Sequence, residues 1–228
     1  MSADPRDEPE DDDFRGSSLI GVASLRDGRV ALGVALPFGH TSAGLLKTLA
    51  EMAQALGVDD IRPAPKRTLV AICGTVDQAE TLRAKAQTLG LATAPDDPRQ
   101  AISACPGSPD CAFGHIPARR MAAEIAVTFS GLLDGSLHLH VSGCAKGCAH
   151  PAASALTIVG SAAGTGLVLE GTARDEPGAF VQNDRAGRAP ASLARLVAAG
   201  RRPDETTAQA IQRLGLSALA EAFGQGAT

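Results

Sequence analysis

SACPGSPDC (residues 103–111) and HLHVSGCAKGCAHP (residues 138–151) hold four of the chain's five cysteines in two pairs. Cys105 and Cys111 are spaced C-x5-C, Cys144 and Cys148 C-x3-C, and Cys144 follows Cys111 by 33 positions. Pro106, Gly107, Pro109, Gly143 and Gly147 punctuate the two loops. Such residues let backbone approach a bound group closely and turn amides toward sulfur. Four thiolates are what a cubane iron–sulfur cluster takes, one per iron, and a thiolate set is too soft for magnesium or calcium. Structural zinc is an alternative, but its cysteine pairs are spaced by roughly two to four residues, so C-x5-C is long for it. Four unliganded cysteines belong on apolar faces rather than in Gly/Pro loops. Disulfides need an oxidising compartment, and the acidic start of the chain does not read as an export signal. Cys73 ends an apolar run with no cysteine near it and reads as a small buried hydrophobe. Lys146 stands where it would offset the negative charge of cluster and thiolates.

Around these loops the pattern is mixed α and β. A helix is expected from about Pro117, a favoured first position, to Leu133. Met121, Ile125, Phe129 and Leu132 form its apolar stripe, and Asp134-Gly135 ends it. Leu137–Val141 reads as a strand delivering the second cysteine loop. Residues 154–159 and 166–170 read as a hairpin around SAAGTG, and Ala191 to Phe223 as two or three short helices. Upstream, 19–25 and 29–36 are apolar runs joined by Asp27-Gly28, a hairpin-turn signal. A helix follows with Thr41 or Ser42 as N-cap, Leu45, Leu49, Met52 and Leu56 at helical spacing, and Gly57 as its stop. Arg67–Cys73 reads as a third strand, and 76–88 as a second, weakly amphipathic helix. This β-β-α-β-α order suggests a small sandwich like half of a ferredoxin-like arrangement. Polar residues 91–100, with Pro95 and Pro98, read as a linker. The division expected is an acidic leader at 1–16, a first domain at 17–93 and a cysteine domain with a helical tail at 99–228.

With 228 residues, 44% of them hydrophobic, the chain supports a real core. Aromatics are six Phe, with no Trp or Tyr, which leaves no stacking platform for single-stranded nucleic acid. The net charge of −4 argues against a phosphate-backbone binder. Residues 1–13 carry seven acids against Arg6, so the rest of the chain is slightly basic, which suits an anionic small molecule. No apolar run is long enough for a membrane span, and a cytoplasmic location is expected.

The cysteine stretches carry a family resemblance. With the strand before the second pair, they resemble the cluster site of the nitrite/sulfite reductase superfamily, and most closely its precorrin-3B synthase branch. LPFGHTSAGLLKTLAEMAQALGVDDIRPAPKRTLVAI (residues 36–72) is similar to the family's tetrapyrrole-cradling half-domain. The resemblance covers most of residues 19–170. It implies an α+β fold: a ferredoxin-like half-domain of the sirohaem-reductase type followed by an α/β iron–sulfur domain. It implies a 4Fe-4S cluster on Cys105, Cys111, Cys144 and Cys148. It also implies an oxygen-dependent monooxygenase of aerobic cobalamin biosynthesis, which hydroxylates precorrin-3A at C20 and closes a γ-lactone. The resemblance to that branch also implies a mononuclear non-haem iron in place of the reductases' sirohaem, to which the cluster would pass electrons from an electron donor. A compact sirohaem sulfite or nitrite reductase and a non-catalytic iron–sulfur subunit are the alternatives.

A precorrin is rich in carboxylates, so convergent cations are needed to bind it. Arg62, Lys66 and Arg67 occupy the segment similar to the family's basic strand and are assigned to substrate carboxylates; a solvated strand edge is the other reading. Arg119 and Arg120 are weaker candidates. Of the five histidines, His138 and His140 share a strand face, His150 follows Cys148 by two residues, and His40 and His115 stand alone. The paired strand histidines suit either a non-haem iron or plain surface. The superfamily is built from two such halves, and this chain reads as the C-terminal one. A separate N-terminal half or a second copy in a homodimer, whose two-fold would mimic the fused pair, is expected to complete the site.

Overall fold

The computed structural model of the chain describes residues 19–225. The leader expected at 1–16 lies outside them. Asp27-Gly28 turns the chain as its type demands: Gly28 adopts φ 85 and the Asp27 carboxylate accepts from the Arg29 amide at 3.1 Å. The turn joins β1 (Gly21–Ser24) to β2 (Val30–Ala35) in antiparallel register, Ser24 opposite Val30. Helix α1 (Ala43–Gln54) starts where the Ser42 hydroxyl accepts from the Leu45 amide at 3.1 Å, and Gly57 at φ 75 ends the turn beyond it.

The strand expected at Arg67–Cys73 is β4 (Thr68–Cys73), and an edge strand that the pattern did not show, β3 (Ile61–Ala64), pairs with it antiparallel around Pro65-Lys66-Arg67. The first sheet is therefore four-stranded, β1-β2-β4-β3. β3 escapes a pattern reading because it is a four-residue edge strand containing Pro63, tolerated only where no ladder bond is needed. Helix α2 (Val76–Thr88) opens with a reciprocal cap: Thr75 Oγ1 accepts from the Gln78 amide and Gln78 Oε1 from the Thr75 amide. It packs on β1, β2 and β4 through Ala79, Leu82 and Ala86. Residues 91–93 are buried, and Ala92 exchanges both backbone hydrogen bonds with Ala35, so they continue this unit rather than link it onward.

The chain divides into two units, residues 19–35 with Lys47–Pro95, and Leu36–Leu46 with 96–225. In the second unit, β5 (Ile102–Ala104), β6 (Leu139–Ser142) and β7 (Ser154–Ser161) run parallel, and β8 (Gly164–Gly171) and β9 (Ala179–Val181) continue the sheet antiparallel. Helix α3 (Ala118–Thr128) is shorter than the 117–133 expected, but its stripe holds: Met121, Ile125, Phe129 and Leu132 are all buried against the sheet. Helices α4 (Ala189–Gly200) and α5 (Thr207–Gln225) pack on each other, and α5 breaks at Gly215, φ 73. Phe38, left-handed at φ 55, is buried in this unit's core. No helix among the described residues is long and apolar enough to cross a membrane.

Candidate iron–sulfur site

Parallel pairing decides where the cysteines go. β5 and β6 are neighbours running the same way, so both chains leave the sheet at the same end, and each enters a cysteine loop there. Cys105 follows Ala104 directly; Gly143 and Cys144 follow Ser142. The two loops are stitched together. The Gly143 amide donates to Cys105 Sγ at 3.1 Å, and the His115 amide donates to the Gly143 carbonyl at 2.8 Å. Within the first loop, the Cys111 amide donates to the Gly107 carbonyl at 2.8 Å. The Ser142 hydroxyl donates to the Cys144 carbonyl at 2.6 Å.

This fit depends on missing side chains. A Cβ at Gly143 would lie 2.9 Å from Gly107 Cα and 3.3 Å from Gly114 Cα; one at Gly114 would lie 2.6 Å from the Gly107 carbonyl carbon. A Cβ at Gly160, on β7, would meet the Gly143 carbonyl oxygen at 2.7 Å. Contacts under 3 Å do not occur for real side chains, so four glycines from three segments, the first loop, the second loop and β7, define the cradle. Gly107 and Gly143 stood out in sequence; Gly114, three residues past Cys111, was not singled out, and Gly160 reaches the cysteine loops only after folding.

All four loop cysteines are free thiols; Cys105, Cys111 and Cys144 are half-buried and Cys148 is exposed. Cys73 is fully buried at the end of β4, and burial pushes its thiol pKa up, as suits an inert hydrophobe. Lys146 Nζ lies 3.2 Å from the centroid of the exposed Phe113 ring, a cation–π contact bridging the two loops. Four free cysteines on two stitched loops, with an amide directed at Cys105 sulfur, are a donor set of the kind a cubane cluster takes. Among the described residues, no three Cys, His, Asp or Glu side chains converge as a single ion requires.

The expected substrate cations lie in the first unit. Arg62 is already bound bidentately by Asp60, Nε to Oδ1 at 2.8 Å. Lys66 (φ 58) and Arg67 (φ 63) sit in the tight β3–β4 turn, both left-handed without being glycine, a strained arrangement of the kind that persists where the surroundings hold it. Lys66 is exposed; Arg67 is half-buried and desolvation pushes its pKa down. Arg119 reaches Asp110 of the first cysteine loop at 3.6 Å, and Arg120 faces Glu124 on α3.

His138, His140 and His150 come together, while His40 and His115 remain exposed elsewhere. The surface reading of the strand pair does not hold for His140, which is 0% exposed.

No protein-family model matches the sequence. The chain is similar to a precorrin-3B synthase of Sinorhizobium sp, 37% identical over 212 residues, which cover 93% of this chain and 46% of that protein. It is 29% identical over 137 residues to sulfite reductase (ferredoxin) 2 of Mycolicibacterium paratuberculosis, covering 57% of this chain and 25% of that one. Among solved structures it is similar to the NirA protein of Mycobacterium tuberculosis, with a TM-score of 0.68 at 23% identity, covering 88% of this chain and 41% of that one. The chain thus spans less than half the length of each of these relatives.

Proposed function

We propose that this chain, which is similar to half of a precorrin-3B synthase, belongs to the nitrite/sulfite reductase superfamily and is the cluster-bearing half of a precorrin-3B synthase-type oxidoreductase. The observation that carries the reading is the pair of cysteine loops joined by the Gly143 amide and Cys105 sulfur. Cys105, Cys111, Cys144 and Cys148 hold a 4Fe-4S cluster. When bound, that cluster supplies one-electron transfer.

The substrate is a precorrin, a polycarboxylate tetrapyrrole. Lys66 and Arg67 receive its carboxylates; Arg62 joins them by sharing or leaving Asp60. In the reaction one atom of dioxygen becomes the C20 hydroxyl and the other leaves as water, while the ring A acetate adds to the neighbouring carbon across the double bond opened at C20, its proton passing to the new hydroxyl, so that the γ-lactone closes without loss of water. Two electrons, from a donor, and two protons balance the reduction of that second atom. Phe113 and Lys146 tie the two loops to each other, and the glycine cradle holds them in register. The enzyme works in the cytoplasm, and a separate N-terminal half or a second copy of the chain completes the substrate site.

The test is anaerobic purification of the chain and assay of iron and acid-labile sulfide, followed by precorrin-3A, a reductant and oxygen, with mass analysis. Four irons and four sulfides per chain and a product heavier by one oxygen atom are expected, with the N-terminal half supplied where the chain alone is inactive. Zinc without sulfide would overturn the reading. The sulfite reductase similarity keeps one alternative, a sirohaem-dependent reductase. A sharp Soret band with a chlorin-like red band, and turnover of sulfite, would favour it.

A further inference from the structure

Three histidines meet on the face of the second sheet opposite α3. Leu139 and Val141 of β6 point into the core with α3, so His138 and His140 alternate onto the other face. His138 is strapped from both sides. Its Nε2 is 3.2 Å from the Ser103 hydroxyl on β5, and its Nδ1 is 3.0 Å from the Ser154 hydroxyl on β7. His150 comes from beyond the second cysteine loop. Its ring lies 4.3 Å from that of His138, centroid to centroid, and 5.8 Å, nearly edge-on, from that of His140. The His150 amide donates back to the Gly147 carbonyl at 3.2 Å, closing the turn after Cys148. His140 forms the floor: His140 Cε1 is 3.9 Å from where a Gly147 Cβ would be.

A non-haem iron does not fit these rings. A histidine that binds a metal needs one free ring nitrogen, and both nitrogens of His138 are taken by serines. Neither nitrogen of His140 has a hydrogen-bond partner among the described residues, yet no set of three donors converges there. What the rings do share is contact, and that contact ties the segment after Cys148 to the sheet.

We infer that His150, seated on His138 and edge-on to His140, is a positioning residue that latches the Cys144–Cys148 loop onto the sheet, and that the three rings are not a metal centre. Cys148 is the exposed member of the four cysteines and stands on the arm the latch closes, so the latch sets how firmly that thiol is presented. The functional part of this inference rests on the proposed cluster; the latch itself does not.

The experiment compares wild type, His150→Ala and His150→Phe as full-length chains. Amide hydrogen exchange of residues 143–150 is followed by mass spectrometry on cluster-free protein, with α4 as the internal reference. Loss of one ring contact of this kind raises loop opening by about tenfold at most. Faster exchange in the loop alone is expected for His150→Ala, and wild-type protection for His150→Phe, which keeps a ring but no nitrogen. After cluster reconstitution, His150→Ala should lose iron and sulfide faster in air, and His150→Phe should keep wild-type content. Unchanged exchange in His150→Ala overturns the latch. So does a His150→Phe protein as loose as His150→Ala, or a fifth iron per chain that disappears in both variants. If wild type takes up no cluster while the exchange pattern holds, the cluster reading fails and the latch stands.

Discussion

The Gly143 amide donates to Cys105 Sγ over 3.1 Å, joining two loops whose residues lie 38 apart in sequence. An N–H aimed at sulfur is the kind of contact that offsets charge on a metal-bound cysteine, so it suits Cys105 as a ligand. A methyl at Gly143 would have to displace Gly107 and crowd Cys105. Gly143→Ala should lower stability by about 1–3 kcal/mol and sharply reduce iron and sulfide content. Chemical denaturation and cluster assay on one preparation check both.

The cysteines should divide four to one. Serine at 105, 111, 144 or 148 should abolish or cripple the cluster while leaving the circular dichroism spectrum near wild type. Cys73→Ser should leave iron content intact and cost about 1–3 kcal/mol, because it places a hydroxyl at a fully buried position. A cluster lost in Cys73→Ser with fold retained would refute the division.

Asp134 ties the α3–β6 connection to the start of α5. Its carboxylate accepts from the amide and hydroxyl of Thr207 at 2.8 and 3.0 Å, from Ser136, and from Arg201. Asp134→Ala leaves the buried Thr207 hydroxyl without that acceptor, and should cost about 1–3 kcal/mol. A melting temperature unchanged from wild type would remove this tie from the account.

Acid should act in two stages. Burial, with the charges of His150 and His138 added, pushes His140 down to about 4. The unfolded chain takes up that proton near pH 6.5 and the folded chain resists it. Stability is therefore undiminished above pH 6.5 and falls as pH drops toward 4, at no more than about 1.4 kcal/mol per unit. His140→Leu should remove this stage and be near neutral at pH 7, since an imidazole without partners gives way to an apolar side chain. Burial would raise the Asp134 carboxyl, but hydrogen bonds from Ser136 and Thr207 outweigh it and hold the pKa at about 2. Its contribution is whole above about pH 3.8 and is lost as pH falls through 2. Denaturation of wild type, His140→Leu and Asp134→Ala across pH 2–8 separates the stages.

Much of the framework was legible because it is written in local chemistry. Asp27-Gly28 marked a hairpin, and the stripe Met121, Ile125, Phe129 and Leu132 marked the buried face of α3. The cysteine spacing marked the candidate cluster loops. What escaped was short or non-local. β3, β5 and β9 have four, three and three residues, too few for a period to register, and neighbouring strands determine their pairing. His138 and His140 were correctly placed on one face, but which way that face looked, and that His150 would cover it, depended on residues far along the chain.

The order of residues was enough to identify two cysteine pairs in glycine- and proline-rich loops, the helices with their stripes, and the family pattern these compose. Such features involve residues a few positions apart, whose relation is set by backbone geometry. The contact of Gly143 with Cys105, the four-glycine cradle and the histidine latch arise only when β5, β6 and β7 align in parallel. Sheet pairing and core burial bring those segments together, and a fit between distant backbones leaves no periodic trace in any one of them.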